Sequence, residues 1–270
     1  MKKKFKLGVI GAGFMATSII SGAISNKIVD EKDVVVSDVN QTSLDKIAKF
    51  GVATTMNNVE LVNNSEFVLF AVKPQNLKDL LISIYDCNNE NLKFISIMAG
   101  VKKEKIKKAF SNSKVARCMP NTPCAIGFGA VGLDLSDFDD EKDKEFINKL
   151  FSTLATVVCV DEDKLNAVTG VSGSAPAYFY LFLKGVIEAG VQHGLSYDEA
   201  KLLATSTMIG AGKMVENNKD KSLDELINAV CSKGGTTIEA VKVYNDAELT
   251  SITNKAIEAC VKRSQELENL

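Results

Sequence analysis

Between residues 6 and 160, short apolar runs alternate with longer amphipathic segments. Lys6–Ile10, Val34–Ser37, Phe67–Val72, Phe94–Met98 and Lys114–Cys118 read as buried strands. Helical patterns lie between them, among them Ala16–Ser25 and Leu44–Phe50, the latter stopped by Gly51. Strand and helix in alternation predict right-handed βαβ units on a parallel sheet. Gly129–Leu133 and Thr156–Val160 flank a charged helix near Asp140–Leu154 and extend that sheet. Past Asp161 the pattern changes, and residues 163–267 carry almost no strand signal. Ser196 with Glu199 and Ser222 with Glu225 have capping-box spacing, and Asp246 is placed to cap a final helix. The predicted architecture is an α/β Rossmann-type domain over residues 1–162, followed by an all-α domain over 163–270. The apolar run from Leu165 to Val191 is more than a small helical domain hides, which predicts a symmetric partner and hence a dimerisation domain.

Composition narrows the function classes. A net charge of −2 gives no basis for binding nucleic acid or an anionic membrane. The basic start and apolar run of MKKKFKLGVIGAGFMATSII mimic a signal peptide, but the glycines suit a nucleotide loop better. Lys184 and Glu188 interrupt the best candidate for a membrane span. Six scattered cysteines without a CxxC pair read as reduced thiols of a cytoplasmic protein, and one histidine makes a zinc site improbable.

The first candidate site is Ile10-Gly11-Ala12-Gly13-Phe14-Met15, with Ala16 completing GxGxxA directly after a strand and at the start of a helix. Gly11 permits the tight turn, Gly13 the backbone approach to a pyrophosphate, and Ala16 close packing of helix on strand. Asp38, at the end of the second strand, is placed to accept from ribose hydroxyls and to repel a 2′-phosphate; the alternative is a solvated loop acid. Ser37 is a hydroxyl available to a phosphate, and the balance leans towards NADH over NADPH. Lys73-Pro74, in FAVKPQ, either presents a cation beside the nicotinamide or simply ends a strand.

The second is VCSKGGTTIEAV, residues 230–241, with two glycines and two threonines at the mouth of a helix. Alcohol oxidation needs a base, usually His or Lys. His193 sits at a helix end without an acidic partner in view, and Lys184 reads as a surface lysine. An imine is already electrophilic when protonated, so the protein need only align it and hydrogen-bond its nitrogen. Hydroxyls and helix-start N–H groups of the Gly-Gly-Thr-Thr stretch suffice for that and for a carboxylate.

Taken in order, IGAGFMA, AVKPQ (71–75), MPNTP (119–123), AVTGVSGSAPAYFY (167–180) and SKGGTT (232–237) resemble the pyrroline-5-carboxylate reductases over nearly the whole chain. The resemblance implies NAD(P)H-dependent reduction of 1-pyrroline-5-carboxylate to L-proline, the last step of proline synthesis. It also implies a helical domain interlocked with a second subunit, and a pocket near that interface between coenzyme and helical domain. By position, Thr237 would hydrogen-bond the imine nitrogen. Thr236 and Gly235 would offer N–H groups to the carboxylate, with Ser232 beside them and Glu162 at the substrate pocket. Asn58, Ala71, Val72, Lys73, Pro74, Met98 and Ala99 would line the coenzyme.

Two departures stand out. Lys233 replaces the family's usual proline before Gly-Gly-Thr, and Ala175 replaces a glycine. They leave open a reductase of another cyclic imino acid, a β-hydroxy-acid dehydrogenase of the same plan, or a non-catalytic dinucleotide-binding regulator. The small residues from Val168 to Ala177 either touch substrate or set a close helix crossing in a dimer core.

Overall fold

The structure, a computed structural model, describes residues 3–87 and 91–268; the basic start at Met1 and Lys2 lies outside them. It divides into two compact units, one of residues through Ser174 together with the chain from Cys260 onward, the other Ala175–Ala259.

In the first unit the chain runs β1 (Phe5–Ile10), α1 (Phe14–Ser25), β2 (Val34–Ser37), α2 (Gln41–Ile47), β3 (Ala53–Thr55), α3 (Asn58–Asn64) and β4 (Ser65–Phe70). It continues through α4 (Leu77–Ser83), β5 (Lys93–Ser96), α5 (Lys103–Ala109), β6 (Lys114–Pro120), β7 (Gly129–Asp134), α6 (Glu141–Ser152), β8 (Ala155–Cys159) and α7 (Leu165–Val168). The sheet order is β3-β2-β1-β4-β5-β6-β7-β8. It reverses direction at β1, where Leu7 is level with Val34 on one side and Phe67 on the other. Burial on both faces explains why the strands read as continuous apolar runs. In β4, Phe67 and Leu69 join Ile19, Ile20 and Phe151 in one core, while Val68 and Phe70 join Leu61, Leu80 and Ile106 in the other.

The sheet is not wholly parallel as expected, because β7 runs antiparallel to β6, with Arg117 level with Asp134. The connection, residues 121–128, holds a short turn at Thr122–Ile126 and Gly127 at φ 77°. That is too short for the crossover helix that a parallel neighbour requires. α6 supplies such a crossover, and β8 returns parallel to β7. The three-residue β3 went unpredicted, since ATT is too short for a periodic signal.

Thr169–Gly173 forms one π-helical turn before the second unit begins, so the apolar run from Leu165 is not a single helix. The second unit holds α8 (Ala175–Gln192), α9 (Tyr197–Asn217), α10 (Leu223–Val230), α11 (Thr236–Asp246) and the start of α12 (Leu249–Leu267). Both capping boxes form at Ser196 and Ser222. Asp246 does not cap the final helix; it is the last residue of α11, and Glu248 at φ 53° makes the turn. Of this unit's hydrophobic side chains only Ala175, Ile187 and Ala200 are buried, whereas Leu181, Leu202, Leu203 and Ile209 are exposed.

The end of β7 and the start of α5 are tied by charge. Lys103, 7 % exposed, donates to Ser136 Oγ at 2.6 Å and to Asp137 Oδ1 at 3.1 Å, and pairs with Asp134 at 2.5 Å. Burial pushes its pKa down, but hydrogen bonds and charge from Asp134 and Asp137 outweigh that and hold it above its ordinary value. Lys103→Met strands the buried Asp134 carboxylate and is expected to cost about 3–5 kcal/mol of unfolding free energy in a urea titration. A midpoint equal to the parent's would show that the pair contributes nothing.

Candidate active site

The turn leaving β1 is built by glycine. Gly11 has φ 105°, and a Cβ there would lie 2.7 Å from the Ala71 carbonyl oxygen. Its N–H donates to the Ser37 carbonyl at 2.7 Å, and Ala12 N–H donates to Asp38 Oδ2 at 2.7 Å. Gly13 caps α1 with extended backbone, and a Cβ added to it would meet nothing within 4 Å. The first N–H groups of α1 therefore face open space at the positive end of a helix, an arrangement suited to phosphate.

A cleft of about 610 Å³ lies over this turn. It gathers Ile10, Gly11, Gly13, Asp38, Asn58, Ala71, Val72 and Lys73 from the predicted set. Ala12, Phe14, Met15, Ser37, Pro74, Met98 and Ala99 are not on its wall. Ser37 is 1 % exposed and donates to Asn58 Oδ1 at 2.6 Å, so its hydroxyl is spent. Asn58 in turn donates to Ser83 Oγ at 2.8 Å. Met98 is buried in the core, which leaves only its backbone for a ligand. Sequence reading missed Val39, Met56, Asn76, Asp79, Leu80 and Ser83 on the wall. Met56 follows the unpredicted β3; Asp79 and Ser83, four apart on α4, share a helix face that the apolar pattern alone leaves as solvent. Val39 and Met56, 92 % and 62 % exposed, offer apolar surface beside Asp38, as an adenosine requires. The open approach to Gly13, the helix start and the acid at the end of β2 fit a dinucleotide.

Glu162 stands elsewhere in the first unit. Its Oε1 accepts from Lys103 N–H at 2.7 Å and from Arg117 Nη1 at 3.3 Å. Arg117 Nη1 also donates to Glu268 Oε1 at 3.2 Å, and Asn166 Nδ2 donates to the same oxygen at 3.0 Å. Burial pushes the Glu268 carboxyl up, but the Asn166 hydrogen bond, the Arg117 charge and hydrogen bonds from Lys102 and Arg117 hold it below the ordinary value. Neither Arg117 nor Glu268 carried a sequence signal.

Ser232, Gly235, Thr236 and Thr237 belong to the second unit. Gly234, at φ 73°, turns the chain, and Gly235 caps α11. A Cβ on Gly235 would lie 2.3 Å from Ser232 Oγ, so glycine is needed for close approach rather than for ligand contact. Gly235 N–H donates to the Ser232 carbonyl at 3.0 Å and is not free for a carboxylate as expected. Thr236 and Thr237 are the first two residues of α11, whose opening N–H groups have no partner within the helix.

A doubly wound sheet with a glycine turn, a helix start and an acid around one cleft defines a nicotinamide-dinucleotide oxidoreductase. A family model described as pyrroline-5-carboxylate reductase dimerisation matches residues 162–267, and one described as NADP oxidoreductase, coenzyme F420-dependent, matches 6–100. The chain is 35 % identical to the pyrroline-5-carboxylate reductase of Haemophilus influenzae over 98 % of both chains. It is 32 % identical to that of Pisum sativum over 99 % of this chain and 97 % of the other. A solved pyrroline-5-carboxylate reductase of Coxiella burnetii superposes with a TM-score of 0.88 at 32 % identity, covering 98 % of this chain and 99 % of that one. The Plasmodium falciparum enzyme, solved with NADP bound, gives 0.85 at 26 % identity over 99 % and 100 %. The chain belongs to the pyrroline-5-carboxylate reductase family.

The two loop glycines separate folding from binding. Gly11→Ala forces a left-handed φ and a clash with Ala71, and is expected to lower the melting temperature as well as coenzyme affinity. Gly13→Ala meets no protein atom, so its melting temperature should stay at the parent's while NADH affinity falls at least about tenfold, because the methyl occupies the approach to the pyrophosphate. Parallel thermal and fluorescence titrations measure both, and unchanged affinity in Gly13→Ala would remove the pyrophosphate from this loop.

Proposed function

We propose that the chain reduces 1-pyrroline-5-carboxylate to L-proline with NADH or NADPH, the final step of proline biosynthesis. The observation that carries this reading is the pairing in one chain of a fitted dinucleotide turn with Thr236-Thr237 at the start of α11. A bound nicotinamide supplies the hydride. Gly11, Gly13 and the first turn of α1 hold the pyrophosphate, Asp38 the adenosine ribose, and Ala71, Val72 and Lys73 the nicotinamide side. Thr237 Oγ1 hydrogen-bonds the imine nitrogen and steadies the charge that changes there. Thr236 N–H and Ser232 hold the carboxylate. Glu162 acts at a remove, by fixing the start of α5. No step needs a strong base, consistent with His193 being exposed and with exposed Lys184 pairing with Glu188 at 3.7 Å. NADH consumption with pyrroline-5-carboxylate, against no NAD⁺ reduction with 3-hydroxy acids, tests the assignment; turnover of a larger cyclic imino acid in its place would assign Lys233 and Ala175 to a changed substrate.

The working molecule is a homo-oligomer, as the dimerisation match supports, and we take its unit to be a dimer. An apolar groove of about 820 Å³ between α8 and α9, lined by Phe182, Val186, Leu203 and Met208, is the surface a second copy would cover. No helix among the described residues is long and apolar enough to cross a membrane, and all six cysteines are free, which supports a cytoplasmic site.

Thr237→Ala should lower kcat by about 2–4 kcal/mol of barrier and leave the NADH dissociation constant near the parent's; parent turnover would remove Thr237 from the reaction. Leu203→Glu should convert the full chain to a monomer in sedimentation, since the side chain is 58 % exposed in the isolated chain and lines the apolar groove. The unmodified enzyme should show a higher kcat/KM with NADH than with NADPH. A 2′-phosphate about 4 Å from Asp38 meets up to ~4 kcal/mol of repulsion at an effective dielectric near 20, against ~1 kcal/mol from one hydrogen bond. Ser37 is already bonded to Asn58, Asp79 adds a second carboxylate, and Lys73 is the one cation among the described wall residues. Asp38→Arg should raise NADPH use, and a clear preference for NADPH in the parent would refute the electrostatic account.

A further inference from the structure

We infer that Glu268 is a positioning residue for the nicotinamide half of the coenzyme site, acting through the segment that leaves β5. The inference rests on the dinucleotide-reductase reading. With the pyrophosphate at the β1 turn and the ribose acid at the end of β2, the adenosine lies on the β2 side of β1. The sheet order then carries the other half of the coenzyme over the ends of β4 and β5. The chain leaves β5 through Ile97–Lys102. Its backbone is anchored at one end by Ile97 N–H donating to the Phe70 carbonyl at 3.2 Å.

The other end is held by the last turn of α12, which belongs to the first compact unit. Gly100, at φ 68°, lets that turn come so close that a Cβ would lie 2.6 Å from Leu267 Cβ and 3.1 Å from the Ser264 carbonyl oxygen. Glu268 Oε2 pairs with Lys102 Nζ at 3.3 Å, on the segment itself. Glu268 Oε1 accepts from Arg117 and Asn166, and Asn166 Oδ1 accepts from Ser264 Oγ at 2.6 Å. Arg117 also reaches Glu162, which holds Lys103 N–H just beyond the segment. Two cations thus balance two carboxylates, and Glu268, 8 % exposed, is the member that touches the segment, β6 and α7 together. Without it, Arg117, 4 % exposed, keeps a single anionic partner, and Lys102 is released.

The test uses the full-length protein and two ligands, NADH and ADP-ribose, which lacks the nicotinamide. Glu268→Ala is expected to raise the NADH dissociation constant about tenfold and to leave that of ADP-ribose within about twofold. Lys102→Ala, at an exposed lysine whose loss leaves the buried cluster intact, should shift NADH alone in the same direction by less. Glu268→Gln, which keeps the shape, should fall between parent and Glu268→Ala. Equal weakening of both ligands in Glu268→Ala, or NADH affinity at the parent value in both Glu268→Ala and Lys102→Ala, overturns the inference. Should Glu268→Ala fail to fold, Lys102→Ala carries the decision alone. A parent protein that binds neither ligand would overturn the dinucleotide reading itself, a result distinct from a parent that binds and a Glu268 variant that is indifferent.

Discussion

The first unit depends on a backbone reversal that only glycine makes cheaply. At Gly11 the chain leaves β1 with φ 105°, between the ends of β2 and β4, against a carbonyl oxygen that leaves no room for a side chain. Gly11 N–H donating to the Ser37 carbonyl and Ala12 N–H donating to Asp38 hold the turn from the β2 side, and Ala71 N–H donates to the Ile10 carbonyl at 2.9 Å from the β4 side. The open approach at Gly13 and the aim of α1 follow from that one turn. Asp38 serves the turn before it serves any ligand: one oxygen accepts from Ala12 and the other from Asn40 at 2.8 Å. Each carboxylate oxygen retains acceptor capacity, so bracing the loop and binding a ribose are compatible.

The helical unit works under the opposite constraint. It has a large apolar surface and little interior of its own to place it in, and only three of its hydrophobic side chains are buried. Phe182 and Tyr244 meet at 6.0 Å between ring centroids, yet both remain partly exposed. A fold of this kind gains its core by association, so its stability depends on protomer concentration. The close approach of α8 to α9, where a Cβ on Gly190 would lie 3.1 Å from Ala200 Cβ, leaves the groove beside it continuous and apolar.

Much of the first unit was legible because its determinants are local. Val34–Ser37 is a strand at the expected residues, and the other long strands begin within two residues of their apolar runs. Ser196 and Ser222 cap helices because a side chain and an N–H three residues away suffice. The glycine turn was legible for the same reason. Failures came where a partner distant in sequence decides. The antiparallel β7 is dictated by the length of its connection, β3 by its place beside β2, and the end of α11 at Asp246 by the turn at Glu248. Ser37 reads in the sequence as a hydroxyl available to a phosphate, but Asn58, 21 residues on, accepts from it.

The sequence by itself determined the two styles of chain, the dinucleotide turn, the hydroxyl-bearing helix start and, through motifs spread from end to end, the family. Each motif, and each local pattern of apolar and polar positions, is written in residues a few positions apart, within reach of one another in any conformation. The tertiary structure alone decided which of the predicted residues line the cleft, that Gly235 spends its N–H on its own turn, and that Glu162 serves the start of α5. It alone brought Arg117 against Glu268, 151 residues away. No periodicity encodes such a pair, because it exists only after β6, α7 and the last turn of α12 have packed and excluded water from between the charges.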